Sequence, residues 1–143
     1  PAVEQAQLPP LEEVNLPAGQ GELILVVDDE VAIRKITQTS LETYKYRVIT
    51  ADDGIEAIAL YAQHKEEIAV VLIDMMMPNM DGPTTIRTLQ KIQPQVKIIA
   101  VSGLISSDKL AQARYIGVKN FLSKPYTAKE LLKTINEVLK GIQ

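Results

Sequence analysis

At 143 residues, 46% of them hydrophobic, the chain has the length and apolar content of one domain with a single core. A net charge of −3 without any Lys/Arg cluster argues against direct nucleic-acid binding, which needs a basic face to neutralise phosphates. The lack of cysteine excludes disulfides and thiolate metal sites, and no apolar stretch approaches the ~20 residues that span a bilayer, so a soluble cytoplasmic domain is expected, with no direct membrane contact.

Residues 1–21 hold four of the eight prolines (Pro1, Pro9, Pro10 and Pro17) together with Gly19, Gly21 and several Glu and Gln. Such a segment buries little and reads as a linker or tail, with the domain proper over residues 22–143. The missing initial Met fits a piece of a longer polypeptide. From Leu23 the pattern is regular. Leu23 to Val27 and Ala69 to Ile73 are uninterrupted apolar runs, and Val96 to Val101 is broken only by Lys97. Continuous apolar strands belong to a sheet covered on both faces. Tyr46 to Thr50 and Lys119 to Leu122 are more polar and suit the two edges.

Helical patterns separate these strands. Ile33, Ile36, Ser40 and Leu41 mark the inward face of the first helix, and Ile55, Ile58, Ala59 and Ala62 that of the second. A third covers Thr84 to Ile92, and a fourth Ser107 to Ile116, stopped by Gly117. The last opens on a capping box, Thr127 to Glu130, and buries Leu131, Leu132, Ile135, Val138 and Leu139. Strand and helix alternate five times, which predicts a single doubly wound α/β fold with a parallel sheet.

In such sheets the functional groups gather beyond the carboxyl ends of the strands. Here the first strand runs into Asp28 and Asp29, the third ends in Asp74, the fourth in Ser102, and the fifth is followed by Lys124 and Pro125. One Asp before a turn is ordinary punctuation; polar groups at four strand ends are not. Three converging carboxylates repel one another and call for raised pKa values or a cation. Oxygen ligands without Cys or a nearby His point to Mg²⁺ or Mn²⁺, and His64 is placed on the surface. A lysine and a hydroxyl complete a site for a phosphoryl group, and a carboxylate can serve as its acceptor.

The motifs VVDDE, DMMMPNMDG, VSG and FLSKP, in that order and at strand ends, resemble the receiver domains of two-component response regulators over residues 22–143. The resemblance implies a flavodoxin-like sheet of order 2-1-3-4-5 with five helices. It implies that Asp74 takes a phosphoryl group from a histidine kinase or histidine phosphotransfer protein in a Mg²⁺-dependent reaction. Asp29 would be a direct metal ligand, Asp28 would act mainly through water, and the backbone carbonyl of Met76 would complete the protein ligands. Ser102 would hydrogen-bond the phosphoryl group and Lys124 pair with it, with a cis peptide between Lys124 and Pro125. Phe121 occupies the aromatic switch position, and the face of the fourth helix, fifth strand and fifth helix would change most and could form a homodimer. The motif string looks most like the C-terminal receiver of a hybrid sensor histidine kinase, with a free-standing regulator as the alternative.

The sequence departs from commoner members of that family in places. Phe121 stands where tyrosine is more usual, and Met76 and Leu104 are apolar where polar residues are frequent. Neither can hold a hydrolytic water, so slow loss of the phosphoryl group is expected. Met75 and Met77 read as loop packing. A haloacid-dehalogenase-type phosphatase would need a general acid at Met76, a docking-only receiver would not need an intact site, and a flavin module would need a phosphate-binding loop after the first strand.

Overall fold

A computed structural model describes residues 16–103 and 107–141, with the side chain of Ser107 left out. The bulk of the expected linker, residues 1–15, and Leu104 lie outside the described residues. The five strands are β1 (Leu23–Val27), β2 (Arg47–Ala51), β3 (Ile68–Asp74), β4 (Ile98–Ser102) and β5 (Asn120–Ser123). They alternate with α1 (Val31–Thr43), α2 (Gly54–His64), α3 (Gly82–Ile92), α4 (Ser107–Tyr115) and α5 (Ala128–Leu139). The strands form one parallel sheet in the order β2-β1-β3-β4-β5. That is the doubly wound, flavodoxin-like arrangement expected.

The burial of each strand follows its place in the sheet. All five residues of β1 and of β4 are buried, whereas β2 and β5 at the edges are only partly so. Alternate residues of the central strands feed two separate cores. Leu25, Val71 and Ala100 pack with Ala57 and Tyr61 of α2, Ile86 and Leu89 of α3 and Ala113 of α4. Ile24, Leu72 and Ile99 pack on the other face with Leu41 of α1 and Leu131, Leu132, Ile135 and Val138 of α5. Each fully buried aliphatic side chain contributes about 1.5–3 kcal/mol, so the two sandwiched layers hold the sheet's polar edges in a fixed frame.

Two inward helix faces differ from expectation. In α1 the buried residues are Thr37 and Leu41, and Ile36 is 64% exposed. In α2 they are Gly54, Ala57 and Tyr61, while Ile55 is 60% exposed and Ala59 and Ala62 face solvent. Small residues win in α2 because the helix must approach α3 closely: a Cβ on Gly54 would collide with the Thr85 hydroxyl. The strands and helices otherwise differ from the predicted spans by one or two residues at their ends. α5 opens on the expected capping box, with Thr127 and Glu130 each bonding the other's backbone N–H.

Ahead of β1, the chain from Leu16 packs on the domain. Leu16 contacts the α1/α5 core, Gly19 donates to the Tyr44 carbonyl at 2.7 Å, and a Cβ on Gly19 would meet the Tyr46 ring at 2.5 Å. Among the described residues no helix is long and apolar enough to cross a membrane.

Candidate functional site

Strand register assembles the site. Val27 lies opposite Ile73 and Ala51, Asp74 opposite Val101, and Ser102 opposite Ser123. Residues just past or at these positions therefore leave the sheet at one edge. Asp28, Asp74 and Ser102 are buried there, and Asp29 is exposed beside them. One carboxylate oxygen from each of Asp28, Asp29 and Asp74 lies within 4.8 Å of the others.

The loops hold these groups by short polar contacts. The Asp28 N–H donates to the Ala51 carbonyl at 3.1 Å, and its Oδ1 accepts from the Glu30 N–H at 2.9 Å. Arg34 Nη1 donates to the Asp28 carbonyl at 2.6 Å. After β3, Asp74 Oδ1 accepts from the Met76 N–H at 3.0 Å, and the Gly82 N–H returns to the Met75 carbonyl at 3.2 Å. That return turn needs a glycine, because a Cβ on Gly82 would stand 2.7 Å from the Met75 Cα. Asn79 takes a φ of 71°, a left-handed conformation that asparagine tolerates better than most residues. Met75 and Met77 are buried in the core, as read from the sequence, and Met76 is 44% exposed.

Lys124 joins the acids. Its backbone N–H donates to the Ser102 carbonyl at 2.7 Å, and the Lys124–Pro125 peptide is cis. Lys124 Nζ sits 2.8 Å from Asp28 Oδ2 and 3.0 Å from Asp74 Oδ2, with Glu30 Oε2 at 3.4 Å. Burial opposes its charge, but the bonds to Asp28 and Asp74 outweigh that and hold its pKa above the ordinary lysine value. For Asp74 the balance falls the other way. Burial and the neighbouring Asp28 push its carboxyl up, against the Met76 N–H and Lys124.

The remaining predicted residue, Phe121, is half-buried on β5, and the Arg114 guanidinium of α4 lies 4.9 Å from its ring centroid. A cleft of about 450 Å³ is lined by Met75, Met76, Met77, Asn79, Asp81 and Lys109, in and beyond the loop that follows Asp74. Sequence reasoning missed Glu30, Arg34, Lys109 and Arg114. Glu30 sits inside the quoted VVDDE motif and Arg34 lies one turn into the helix it opens, so both were within reach. Lys109 and Arg114 come from a distant helix with no local pattern to mark them.

A hard divalent cation suits this donor set: three carboxylates, two of them buried, in a chain without cysteine and with no histidine in the cluster among the described residues. Such a cluster beside an ammonium and a buried hydroxyl can bind a phosphoryl group and receive it on a carboxylate.

Known proteins resemble the chain over most of its length. Residues 24–136 match the family described as response regulator receiver domain. The sensor kinase CckA of Brucella abortus is 37% identical over 118 residues, 82% of this chain but 12% of that protein. The chemotaxis protein CheY of Treponema pallidum is 31% identical, with 87% of each chain covered. A receiver domain from Clostridium thermocellum superposes with a TM-score of 0.80 at 32% identity, covering 84% of this chain and 95% of its own. Against other curated relatives, the ycf27 transcriptional regulators, the chain spans about half their length. With its fold, the acid-lined edge of its sheet and this match over most of its length, the chain belongs to the response regulator receiver domain family of two-component signalling.

Proposed function

We propose that Asp74 is the phosphoacceptor and that Asp28, Asp29 and Asp74, with the Met76 carbonyl, hold Mg²⁺, for which Mn²⁺ can substitute. The observation that carries this reading is the bridging Lys124 ammonium, 2.8 and 3.0 Å from the two buried carboxylates. An Asp74 oxygen attacks the phosphorus of a phosphohistidine, the P–N bond breaks, and its electron pair stays on the imidazole nitrogen. Lys124 then pairs with one phosphoryl oxygen and the Ser102 hydroxyl donates to another. A metal held by these carboxylates would supply charge neutralisation for the phosphoryl group.

Drawing Ser102 toward the phosphoryl group frees space for Phe121 to turn inward, so the face of α4, β5 and α5 changes most and is the place for a homodimer. The donor is a histidine kinase or a histidine phosphotransfer protein, acting in the cytoplasm. Residues 1–21 serve as a linker whose end, Leu16–Gly21, is docked on the domain, and the likeness to CckA favours the receiver of a hybrid sensor kinase. Because Met76 offers no strong hydrogen bond to an attacking water, phospho-Asp74 hydrolyses slowly.

The test is intact-mass analysis after incubation with acetyl phosphate and Mg²⁺. One phosphoryl group should be gained, none without the metal, and the label should decay faster in Met76→Asn. Full labelling of Asp74→Asn would sink the assignment.

A further inference from the structure

The cluster of acids and Lys124 leaves one polar contact unexplained. Thr37 of α1 is 1% exposed, and its Oγ1 lies 2.7 Å from the Tyr126 hydroxyl. Tyr126 follows Lys124 by two residues and packs its ring on the α1/α5 core. An apolar pair would fill that space without the need to satisfy two hydroxyls. The hydrogen bond also has a particular placement. On one side of the Lys124–Pro125 peptide the chain is pinned by the Lys124 N–H on the Ser102 carbonyl, and on the other by Tyr126 on Thr37. Arg34, one turn before Thr37 and so on the same face of α1, grips the Asp28 carbonyl at 2.6 Å. One helix face therefore holds both the loop that carries Asp28 and the loop that carries Lys124.

We propose that the Thr37 and Tyr126 hydroxyls act together as positioning residues that set Lys124 over Asp74 for phosphoryl transfer. The proposal rests on Asp74 being the acceptor. Lys124 can serve the moving phosphoryl group only if its ammonium reaches the carboxylates at hydrogen-bond distance, and small misplacements of such a group carry large rate penalties. The Asp28 loop has supports of its own, the Asp28 N–H on the Ala51 carbonyl and Arg34 on the Asp28 carbonyl, so loss of the Thr37–Tyr126 contact should displace Lys124 more than the metal ligands.

The experiment is phosphorylation of the full chain by acetyl phosphate, with the maximal rate constant and the apparent Mg²⁺ Kd measured separately. Tyr126→Phe and Thr37→Val should each slow the maximal rate by roughly threefold to tenfold, with the Mg²⁺ Kd changed by less than about twofold. Thr37→Ser, which keeps the hydroxyl, should restore most of the rate. The double variant should be no slower than the slower single one, since the two groups act as a unit. Thermal melts of each variant separate positioning from stability. A lowered Tm with an unchanged rate would overturn the proposal, as would additive losses or failure of Thr37→Ser to rescue. Asp74→Asn is the control: if it still gains the phosphoryl group, the acceptor assignment fails, whereas wild-type labelling at Asp74 with unaffected Tyr126→Phe rates defeats the positioning pair alone.

Discussion

Asp74 and Asp81 stand seven residues apart around one loop, and their surroundings drive their carboxyl groups in opposite directions. Burial raises Asp74. At Asp81 burial also acts upward, but the Lys109 ammonium and the Thr84 N–H outweigh it and hold the group below the usual carboxylate value. Asp81 also caps α3, accepting from the Thr84 N–H at 3.0 Å. A depressed folded-state pKa adds stability above the unfolded value near 3.8, and that stability is lost as the pH falls through the lower folded value. Asp81→Asn keeps the cap but loses the charge. It should be less stable than the wild type at pH 7 by about 0.5–1 kcal/mol, the pair being only part-buried. The difference should shrink in melts taken at successively lower pH from 3.8 downward and close only below the lowered folded value. An equal gap at both pH values would mean that the ion pair with Lys109 contributes nothing.

Helices decide how the edge groups are held, and here the sequence was less legible. The strand ends named Asp28, Asp29, Asp74, Ser102 and Lys124, because a parallel sheet forces its carboxyl ends together whatever the loops do. Helix faces followed no such rule. Apolar periodicity pointed to Ile36 and Ile55, whereas the inward positions are taken by Thr37 and by Gly54 and Ala57. Thr37 is inward for its hydroxyl and Gly54 for its lack of a side chain, and neither reason is visible to a hydrophobic pattern. The same blindness hid Arg114, which covers the Phe121 ring from the last turn of α4. Phe121 has no hydroxyl, so on the proposed switch the Arg114 guanidinium, 4.9 Å from the ring centroid, is the contact that would oppose inward rotation. An exposed cation–π contact is worth about 0.5–1 kcal/mol, or roughly twofold to fivefold in a two-state population. On the proposed switch, Arg114→Met should raise the inward population of Phe121 by that factor without phosphorylation. Side-chain NMR of the ring is the measurement; an unchanged rotamer distribution counts against the latch.

Across the whole molecule, the two cores and the acid edge are coupled through folding. Three carboxylates near one lysine leave surplus negative charge in the native state that the unfolded chain disperses. A divalent ion that binds only the folded form stabilises it by RT ln(1 + [L]/Kd), about 1.4 kcal/mol at ten times Kd. Mg²⁺ should therefore raise the Tm of the wild type. Asp29→Asn should remove more of that increment than Asp28→Asn, since Asp28 already spends one oxygen on Glu30 and the other on Lys124. Equal losses from the two variants would contradict the separate roles given to them.

The docked segment at Leu16–Gly21 packs at one end of the sheet. It lies against Tyr46 at the amino end of β2, and the acids stand at the far end of the sheet, five residues or about 17 Å along β1. The described chain thus enters the domain at the end of the sheet opposite the acids. The acid-lined edge is thereby left clear of the Leu16–Gly21 segment, which Gly19 fastens to the opposite end through the Tyr44 carbonyl and the Tyr46 ring.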